Sequence, residues 1–445
     1  MLPVDTRWSL AHRVGFRFVF SYYVLYAVPA LLLGPIPYGQ QLSEQRGQLW
    51  LAVVRWVSTH ILGWDHQVRP VAGGVDIGNT VFGTVVFFLY LALAGAATVI
   101  WSLLDRRRPH YARLHQWFRL FLRYSLALAM VEYGTLKVLQ AQMTAPPPLE
   151  QLTQRVGDLT RLRMLWLFMG TSPLYQSLTG AAELLGGVLL LVPRTVLLGA
   201  LLSAANMAMV IVLNVCYHVH LKLIALHLLA MALLLVAPGA KRLLHLLLLN
   251  RPAEPAPPPP PLLTGRWNRP WLNRAPQLLL FAVGLHGVYG GFQEAWLWRP
   301  VTHSSHVPFY GVWSVEELRK DGQLVPRLAD PQRWRSLTFG EPGGFTVEHQ
   351  IGSRQGYAMG LDLETRRLGL RKVRTDDRGR WLKEPDGRWQ IEPGWNATLT
   401  FEQPEEEVLV LRGELDEAAI EARLRKMALI SKGPGWFFDP PPEER

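Results

Sequence analysis

The middle of the chain carries polar side chains inside stretches that are otherwise apolar. They are Glu132, Tyr133, Lys137, Gln140, Glu183, Asn206, Asn214, His218, Lys222 and His227. Charged and amide groups at membrane depth are costly, so they mark candidate functional sites. Carboxylates and imidazoles can carry protons, whereas ammonium and amide groups can donate hydrogen bonds. These residues are therefore the candidates for ligand binding, and no catalytic residue is assigned.

The spacing of these residues leaves two interpretations open. Tyr133, Lys137 and Gln140 follow an i, i+4, i+7 pattern, which places them on one face of a helix. In the first interpretation the polar groups meet in a pocket within a helix bundle. In the second, Lys137 and Glu183 form an ion pair that fixes helix register, and His218 lies at the membrane interface.

The sequence does not predict a metal centre. His218 and His220 point apart on a helix, and Cys216 is the single cysteine of the chain. There is no HExxH motif, no P-loop and no nucleophile elbow. We therefore expect no metal ligands, and the sequence leaves open whether the protein is an enzyme.

The composition indicates which elements hold the polar residues. Hydrophobic residues make up 49% of the 445 residues and charged residues 18%, against about 25% charged in soluble domains. Residues 299–445 carry 22 Lys or Arg and 24 Asp or Glu, whereas residues 1–298 carry 24 and 11. The chain thus divides into a membrane part and a soluble part, which excludes a wholly soluble enzyme, a disordered chain and a fibrous protein.

Seven stretches come close to the roughly 20 apolar residues that a transmembrane helix needs. They are about 14–33, 80–103, 118–141, 180–192, 196–215, 221–237 and 277–291. The stretch 49–62 is short and amphipathic, which is typical of an interfacial helix. Basic residues gather at the N-terminus, in the second loop and after the sixth span. The positive-inside rule puts these in the cytoplasm and the C-terminus outside, so the basic charge does not indicate nucleic-acid binding.

Residues after about 308 show short alternating segments separated by Gly, Pro and Asp. The segments are 311–315, 344–350, 356–363, 367–373, 397–401, 408–412 and 420–424. They predict an all-β barrel or sandwich. Gly311 and Trp313 resemble the Gly-x-Trp of lipocalin-like barrels, a resemblance that implies an arginine, here Arg412, stacked on the tryptophan. The alternative is that Trp313 only packs the barrel floor.

The central helices resemble the DoxX/DoxD family of four-helix membrane proteins over roughly residues 115–250. The motifs are Tyr133-Gly134-x-x-Lys137, Gly180-Ala-Ala-Glu183-Leu-Leu-Gly-Gly, Val192-Pro-Arg194-Thr195 and Asn214-Val-Cys-Tyr217-x-Val-x-Leu-Lys222. His218 stands where relatives often have Asp. The namesakes are membrane subunits of a thiosulfate:quinone oxidoreductase, so the resemblance implies a quinone as the possible cofactor.

The sequence therefore predicts a multi-pass α-helical membrane protein of about seven spans with a C-terminal β domain. Its expected parts are helices 1–115, the bundle 116–250, a Pro-rich linker 251–275, a last span 276–293 and the β domain 300–440. We expect a bacterial inner-membrane protein, cytoplasmic at its N-terminus and periplasmic at its C-terminal domain. It would bind a quinone or another small molecule and contact the bilayer and a membrane or periplasmic redox partner.

Three other functions stay open. The bundle could be a non-enzymatic anchor that presents a ligand- or partner-binding lipocalin-like β domain. A vitamin-K-type carboxylase or epoxidase rests on Lys137 alone. A transporter would need internal repeats or paired broken helices, which the sequence does not show.

Overall fold

The computed structural model describes two compact units of the chain. The described residues are 7–33, 38–64, 81–143, 147–253, 307–326, 330–340, 343–374, 389–393 and 397–427, with single positions between 275 and 296 and at 382 and 384. The helical unit comprises Met1–Gln142 and Tyr175–Trp298, and the barrel unit comprises Met143–Leu174 and Arg299–Arg445. Residues 143–174, expected within the bundle, thus cluster with the β domain.

The described residues of the first 253 positions form α-helices. They are α1 (Leu10–Leu33), α2 (Gly39–Val57), α3 (Val81–Leu104), α4 (Ala112–Val138), α5 (Leu149–Leu152), α6 (Arg161–Thr171), α7 (Pro173–Leu191), α8 (Val196–Cys216), α9 (Lys222–Val236) and α10 (Ala240–Leu247). A π-helical turn, Ser58–Leu62, continues α2. The stretch expected as a short interfacial helix is therefore the second half of a longer one.

Four helices among the described residues are long and apolar enough to cross a bilayer. They are Val81–Leu104, Pro173–Leu191, Val196–Cys216 and the continuous stretch Lys222–Leu247. The expected number of seven spans is not confirmed. The helix α4 is long enough but too highly charged to be counted with them, because it carries Arg113, Arg119, Arg123, Glu132 and Lys137.

Two expected segments at the end of the helical unit fall mostly outside the described residues. The Pro-rich linker, 251–275, is described only at 251–253 and 275. The last expected span, 276–293, is described only at isolated positions. The apolar stretch before the linker forms α10, as a helix of 8 residues.

Glycines bring α4, α7 and α8 into close contact. A Cβ added at Gly134 of α4 would lie 2.6 Å from the backbone nitrogen of Leu184 and 2.8 Å from the carbonyl oxygen of Gly180. A Cβ on Gly199 of α8 would lie 2.7 Å from the backbone nitrogen of Leu190. Small residues let membrane helices approach at backbone distance, so Gly134, Gly180 and Gly199 serve close helix packing.

The described strands of the barrel unit form one antiparallel sheet that closes on itself. They are β1 (Gly311–Lys320), β2 (Gln323–Leu324), β3 (Trp334–Phe339), β4 (Gly344–His349), β5 (Arg354–Asp362), β6 (Arg367–Lys372), β7 (Ala397–Glu405), β8 (Val408–Leu415) and β9 (Ala418–Lys426). Each strand from β3 to β8 pairs with the strand that follows it, and β1 pairs with both β3 and β9. The result is a closed eight-stranded barrel, with β2 attached to β1 as a hairpin.

The segment Met143–Leu174 packs on the barrel through polar contacts. The helix α5 lies against β3. Arg354 donates a hydrogen bond to the hydroxyl of Thr153 at 3.0 Å and forms an ion pair with Glu348 at 3.3 Å. Because Glu348 is only 6% exposed, this ion pair holds the Arg354 side chain in place. Arg354 in turn holds Thr153 of the segment Met143–Leu174.

Candidate functional site

Lys137 and Glu183 form a buried ion pair between α4 and α7. The Nζ atom of Lys137 lies 2.5 Å and 2.6 Å from the two carboxylate oxygens of Glu183. The two residues are 7% and 3% exposed. The pair lies where the helices are closest, since a Cβ on Gly180 would lie 2.6 Å from the Cβ of Lys137. Each charge compensates the other at membrane depth, so this geometry favours the register-fixing interpretation.

The other predicted residues of the helical unit are distributed over several environments. Glu132 and His218 are exposed, Tyr133, Gln140, Asn206 and Lys222 are half-buried, and Asn214 and His227 are buried. Gln140 does not share the helical face of Lys137, because α4 ends at Val138 and Gln140 has a left-handed φ of 60°. The structure thus brings Lys137 and Glu183 together and places His227 in a second cluster.

The second cluster is a hydrogen-bonded pair of Tyr22 on α1 and His227 on α9. The hydroxyl oxygen of Tyr22 lies 2.5 Å from Nε2 of His227. The other ring nitrogen, Nδ1, lies 2.5 Å from the carbonyl oxygen of Leu223, one turn earlier on α9. The hydroxyl of Tyr23 donates to the carbonyl oxygen of His227 at 3.1 Å. Tyr22, Tyr23 and His227 are 7%, 4% and 3% exposed.

Aromatic rings hold the His227 imidazole in this orientation. Tyr26 stacks on it with the ring centroids 4.0 Å apart and the planes within 10°. Tyr22 lies nearly parallel to it at 5.6 Å, and Phe87 of α3 meets it edge-on at 5.8 Å. The ring is therefore confined on several sides, and it cannot reorient without displacing neighbouring side chains.

A pocket of about 540 Å³ opens beside this pair, between α1, α3 and α9. Apolar side chains form most of its wall, among them Phe18, Phe87, Leu91, Ala230 and Leu234. The polar side chains in its lining are Tyr22, Tyr23 and His227. Its volume is in the range of about 300–1,000 Å³ typical of small-molecule sites. The arrangement suits a lipophilic molecule that has one polar end.

The tyrosines that line this pocket, Tyr22 and Tyr23, were not among the site residues predicted from the sequence. Tyr22, Tyr23 and Tyr26 stand together in an apolar helix, which was a signal available in the sequence. His227 was a candidate, but its partners lie about two hundred residues earlier, on α1. The spacing within one helix does not show which other helix it faces.

In the β domain, Trp313 lies where expected, and Arg412 does not. The indole of Trp313 is fully buried at the start of β1 and donates to the carbonyl oxygen of Phe309 at 2.8 Å. Arg412 is exposed and pairs with Glu421 and Glu402, whose hydrogen bonds raise the pKa of its guanidinium. The cation over the Trp313 ring is Lys426 of β9, at 5.6 Å from the ring centroid. The stacking of Arg412 on Trp313 was therefore a wrong prediction.

Gly311 and the side chains of the strands complete the barrel interior. Gly311 opens β1 with a φ of 141°, which an L side chain adopts only with strain. The interior holds side chains that are fully buried, including Trp313, Leu337, Phe339 and Leu411. A small barrel filled in this way packs its own floor and walls. This supports packing as the role of Trp313.

The described residues place no three His, Cys, Asp or Glu side chains where they could share a metal ion. The chain also has a relative among curated proteins. Over 119 residues it is 30% identical to the Uncharacterized protein YwoB of Bacillus subtilis (strain 168), which is 27% of this chain and 72% of that protein. The chain belongs to the YwoB family. The name of that relative states no activity. No family model matches the chain, and no solved structure matches it significantly.

Proposed function

We propose that this member of the YwoB family binds a lipophilic small molecule of the quinone class in the pocket between α1, α3 and α9. The observation that carries the proposal is the buried Tyr22–His227 hydrogen bond in the wall of that apolar pocket. Apolar walls accept an isoprenoid or alkyl tail, and a few convergent polar groups orient the polar end of the molecule. The aromatic side chains Phe18 and Phe87 offer stacking surfaces for its ring.

The redox association is the second part of the proposal. The resemblance to the DoxX/DoxD family implies quinone chemistry, and a membrane or periplasmic redox partner would then complete the electron path. In this proposal Tyr22 provides a hydrogen bond to a headgroup, and His227 holds the Tyr22 hydroxyl in position. Lys137 and Glu183 have a structural role in this proposal, because each charge is compensated by the other in a short ion pair.

We further propose that α1 and α4 also cross the membrane. They have 24 and 27 residues, which is enough at 1.5 Å per residue. Their buried charges have partners: Arg17 donates to the hydroxyls of Ser102 and Tyr111, and Arg123 donates to the carbonyl oxygens of Leu190 and Leu191. Paired charges of this kind are tolerated in bilayers.

The two parts of the barrel unit limit how often the chain between them can cross the bilayer. Thr153 and Arg354 are hydrogen-bonded within one compact unit, so both lie on the same side of the bilayer. The chain between them must cross an even number of times. The helices α7, α8 and α9 give three crossings, and the predicted span 276–293 would give the fourth. We place this side in the periplasm and the N-terminus in the cytoplasm of a bacterial inner membrane.

A ligand-binding β domain is the alternative, and the filled barrel interior counts against it. Partner binding on the outside of the barrel is compatible with that interior. This alternative predicts no dependence of ligand content on the helical pocket.

The test is to identify the lipids that copurify with the full-length protein. Native mass spectrometry with lipid extraction is applied to the wild type, to Ala230→Trp and to Ala205→Trp. Ala230 lines the pocket, whereas Ala205 is an exposed position on α8. We expect a quinone-class molecule in the wild type and in Ala205→Trp, and its loss in Ala230→Trp. Bulk phospholipid alone in the wild type would contradict the proposal.

A further inference from the structure

The hydrogen bonds around His227 fix where its ring proton lies. A carbonyl oxygen can only accept, so Nδ1, which faces the carbonyl oxygen of Leu223, carries the proton. The ring is surrounded by aromatic side chains, and the described residues that line the pocket include no carboxylate that would compensate a second proton. A charge without a partner in this environment is costly. The uncharged ring therefore presents Nε2 as an acceptor.

This tautomer determines what the two tyrosines can still do. Tyr22 donates its proton to Nε2 of His227, and Tyr23 donates its proton to the carbonyl oxygen of His227. A phenol has one proton, so each hydroxyl retains only lone pairs. Backbone N–H groups within the helices are engaged in the helices themselves. The hydrogen-bonding groups that the pocket offers are therefore acceptors.

We propose that the pocket selects a lipophile that donates a hydrogen bond, a hydroquinone or another phenol, over the quinone or ether with the same ring and tail. This inference rests on the proposed function of the pocket and adds to it the chemical form of the ligand. A hydroquinone donates one hydroxyl to Tyr22 or Tyr23. A quinone carbonyl places a second acceptor against these oxygens and has no proton to share.

The alternative hydrogen-bond pattern is disfavoured by burial. Tyr22 could turn its proton towards a quinone carbonyl, but Nε2 of His227 would then lose its donor while 3% exposed. Leaving a buried acceptor unpaired is comparable in cost to the hydrogen bond that is gained. We expect the hydroquinone to bind at least about tenfold tighter than the quinone, a difference of about 1.4 kcal/mol.

The experiment compares three ligands that share one ring and one decyl tail, on the purified full-length protein in detergent. They are 2-decylhydroquinone under anaerobic conditions, 2-decyl-1,4-benzoquinone, and the dimethyl ether of the hydroquinone. Calorimetric titration gives the three dissociation constants for the wild type. The ether is reduced but has no proton to donate, so it separates hydrogen-bond donation from redox state.

Two variants extend the test. His227→Leu removes the acceptor of the Tyr22 proton, so Tyr22 can donate to a quinone carbonyl. We expect the preference for the hydroquinone to fall to within about threefold. Ala230→Trp fills the pocket and should abolish binding of all three ligands. Both variants are compared with Ala205→Trp, which leaves the pocket unchanged.

Each outcome decides one of the two claims. A hydroquinone that binds at least tenfold tighter than both the quinone and the ether supports the inference. A quinone or ether that binds less than tenfold more weakly than the hydroquinone overturns the inference but leaves the pocket in place, provided that Ala230→Trp still blocks binding. Binding that Ala230→Trp does not affect, or no binding of any ligand to the wild type, overturns the proposed function as well.

Discussion

Removing one member of the Lys137–Glu183 pair should destabilise the helical unit far more than removing both. Lys137→Met leaves a carboxylate at 3% exposure without its counter-ion, and Glu183→Gln leaves an ammonium at 7% exposure in the same position. Unpaired charges at these positions lose solvation without the compensating attraction. The double variant Lys137→Met/Glu183→Leu leaves no charge to compensate.

The size of the effect follows from this burial. Breaking a buried ion pair costs about 3–5 kcal/mol, whereas replacing both partners by apolar residues is close to neutral. In a unit of about 270 residues, each 1 kcal/mol lowers Tm by about 2–4 °C. We expect each single variant to melt about 6–20 °C below the wild type, and the double variant to melt within about 4 °C of it.

The assay is thermal unfolding in one detergent, followed by circular dichroism at the helical minimum. Arg108→Met is the matched control, since it removes an exposed ion pair with Asp105 and should change Tm by no more than about 4 °C. Single variants that melt like the wild type would refute the buried pair. A double variant as unstable as the singles would show that the two side chains contribute separately. A stable double variant that loses bound ligand would restore the functional interpretation.

Three further substitutions test the packing and the charges. Gly134→Ala should lower stability by about 1–3 kcal/mol, because the added Cβ would lie within 3.0 Å of backbone atoms of α7. The control Gly95→Ala should not change Tm in the same melting assay, since no atom lies within 4 Å of a Cβ added there. Arg333→Met should lower the free energy of chemical unfolding by at least about 3 kcal/mol, because the Arg333 guanidinium donates to four carbonyl oxygens. The control Arg335→Met removes an exposed ion pair and should lower it by less than about 1 kcal/mol. Hydrogen bonds from arginine lower the pKa of Glu316, so its contribution to stability is lost as the pH falls from 4.5 through the lower folded value. Glu316→Gln should flatten the acid limb of the stability–pH curve, and an unchanged limb would contradict this cause.

Local patterns in the sequence predicted the elements well wherever one pattern ran uninterrupted. The apolar stretches 80–103 and 196–215 correspond to α3 (Val81–Leu104) and α8 (Val196–Cys216). The alternating segments from 311 to 424 correspond to strands of the closed barrel. The strand β3 was missed because Arg333 and Arg335 flank Trp334 and interrupt the apolar pattern.

The site was harder to predict because it depends on helices that are distant in the sequence. The charged pair Lys137–Glu183 was recognisable, since two opposite charges in neighbouring spans have few other partners. The pairing of Tyr22 with His227 depends on how α1 packs against α9. The sequence of either helix alone does not show which helix it packs against. The error at Arg412 was avoidable: Leu409 and Leu411 point inward, so strand alternation turns residue 412 outward.

The docking of Met143–Leu174 on the barrel sets an order on folding during synthesis. The hydrogen bond between Thr153 and Arg354 can form only after Arg354, 201 residues later in the chain, has been synthesised. At about 5–20 residues per second this delay is about 10–40 s. The barrel itself closes only when β9, ending at Lys426, pairs with β1. The segment Met143–Leu174, whose helix α5 lies against β3 in the folded protein, therefore lacks this contact until the barrel has closed. A chain that stops before β9 would leave the segment without its partner surface, so the segment would report to the cell whether synthesis of the barrel is complete.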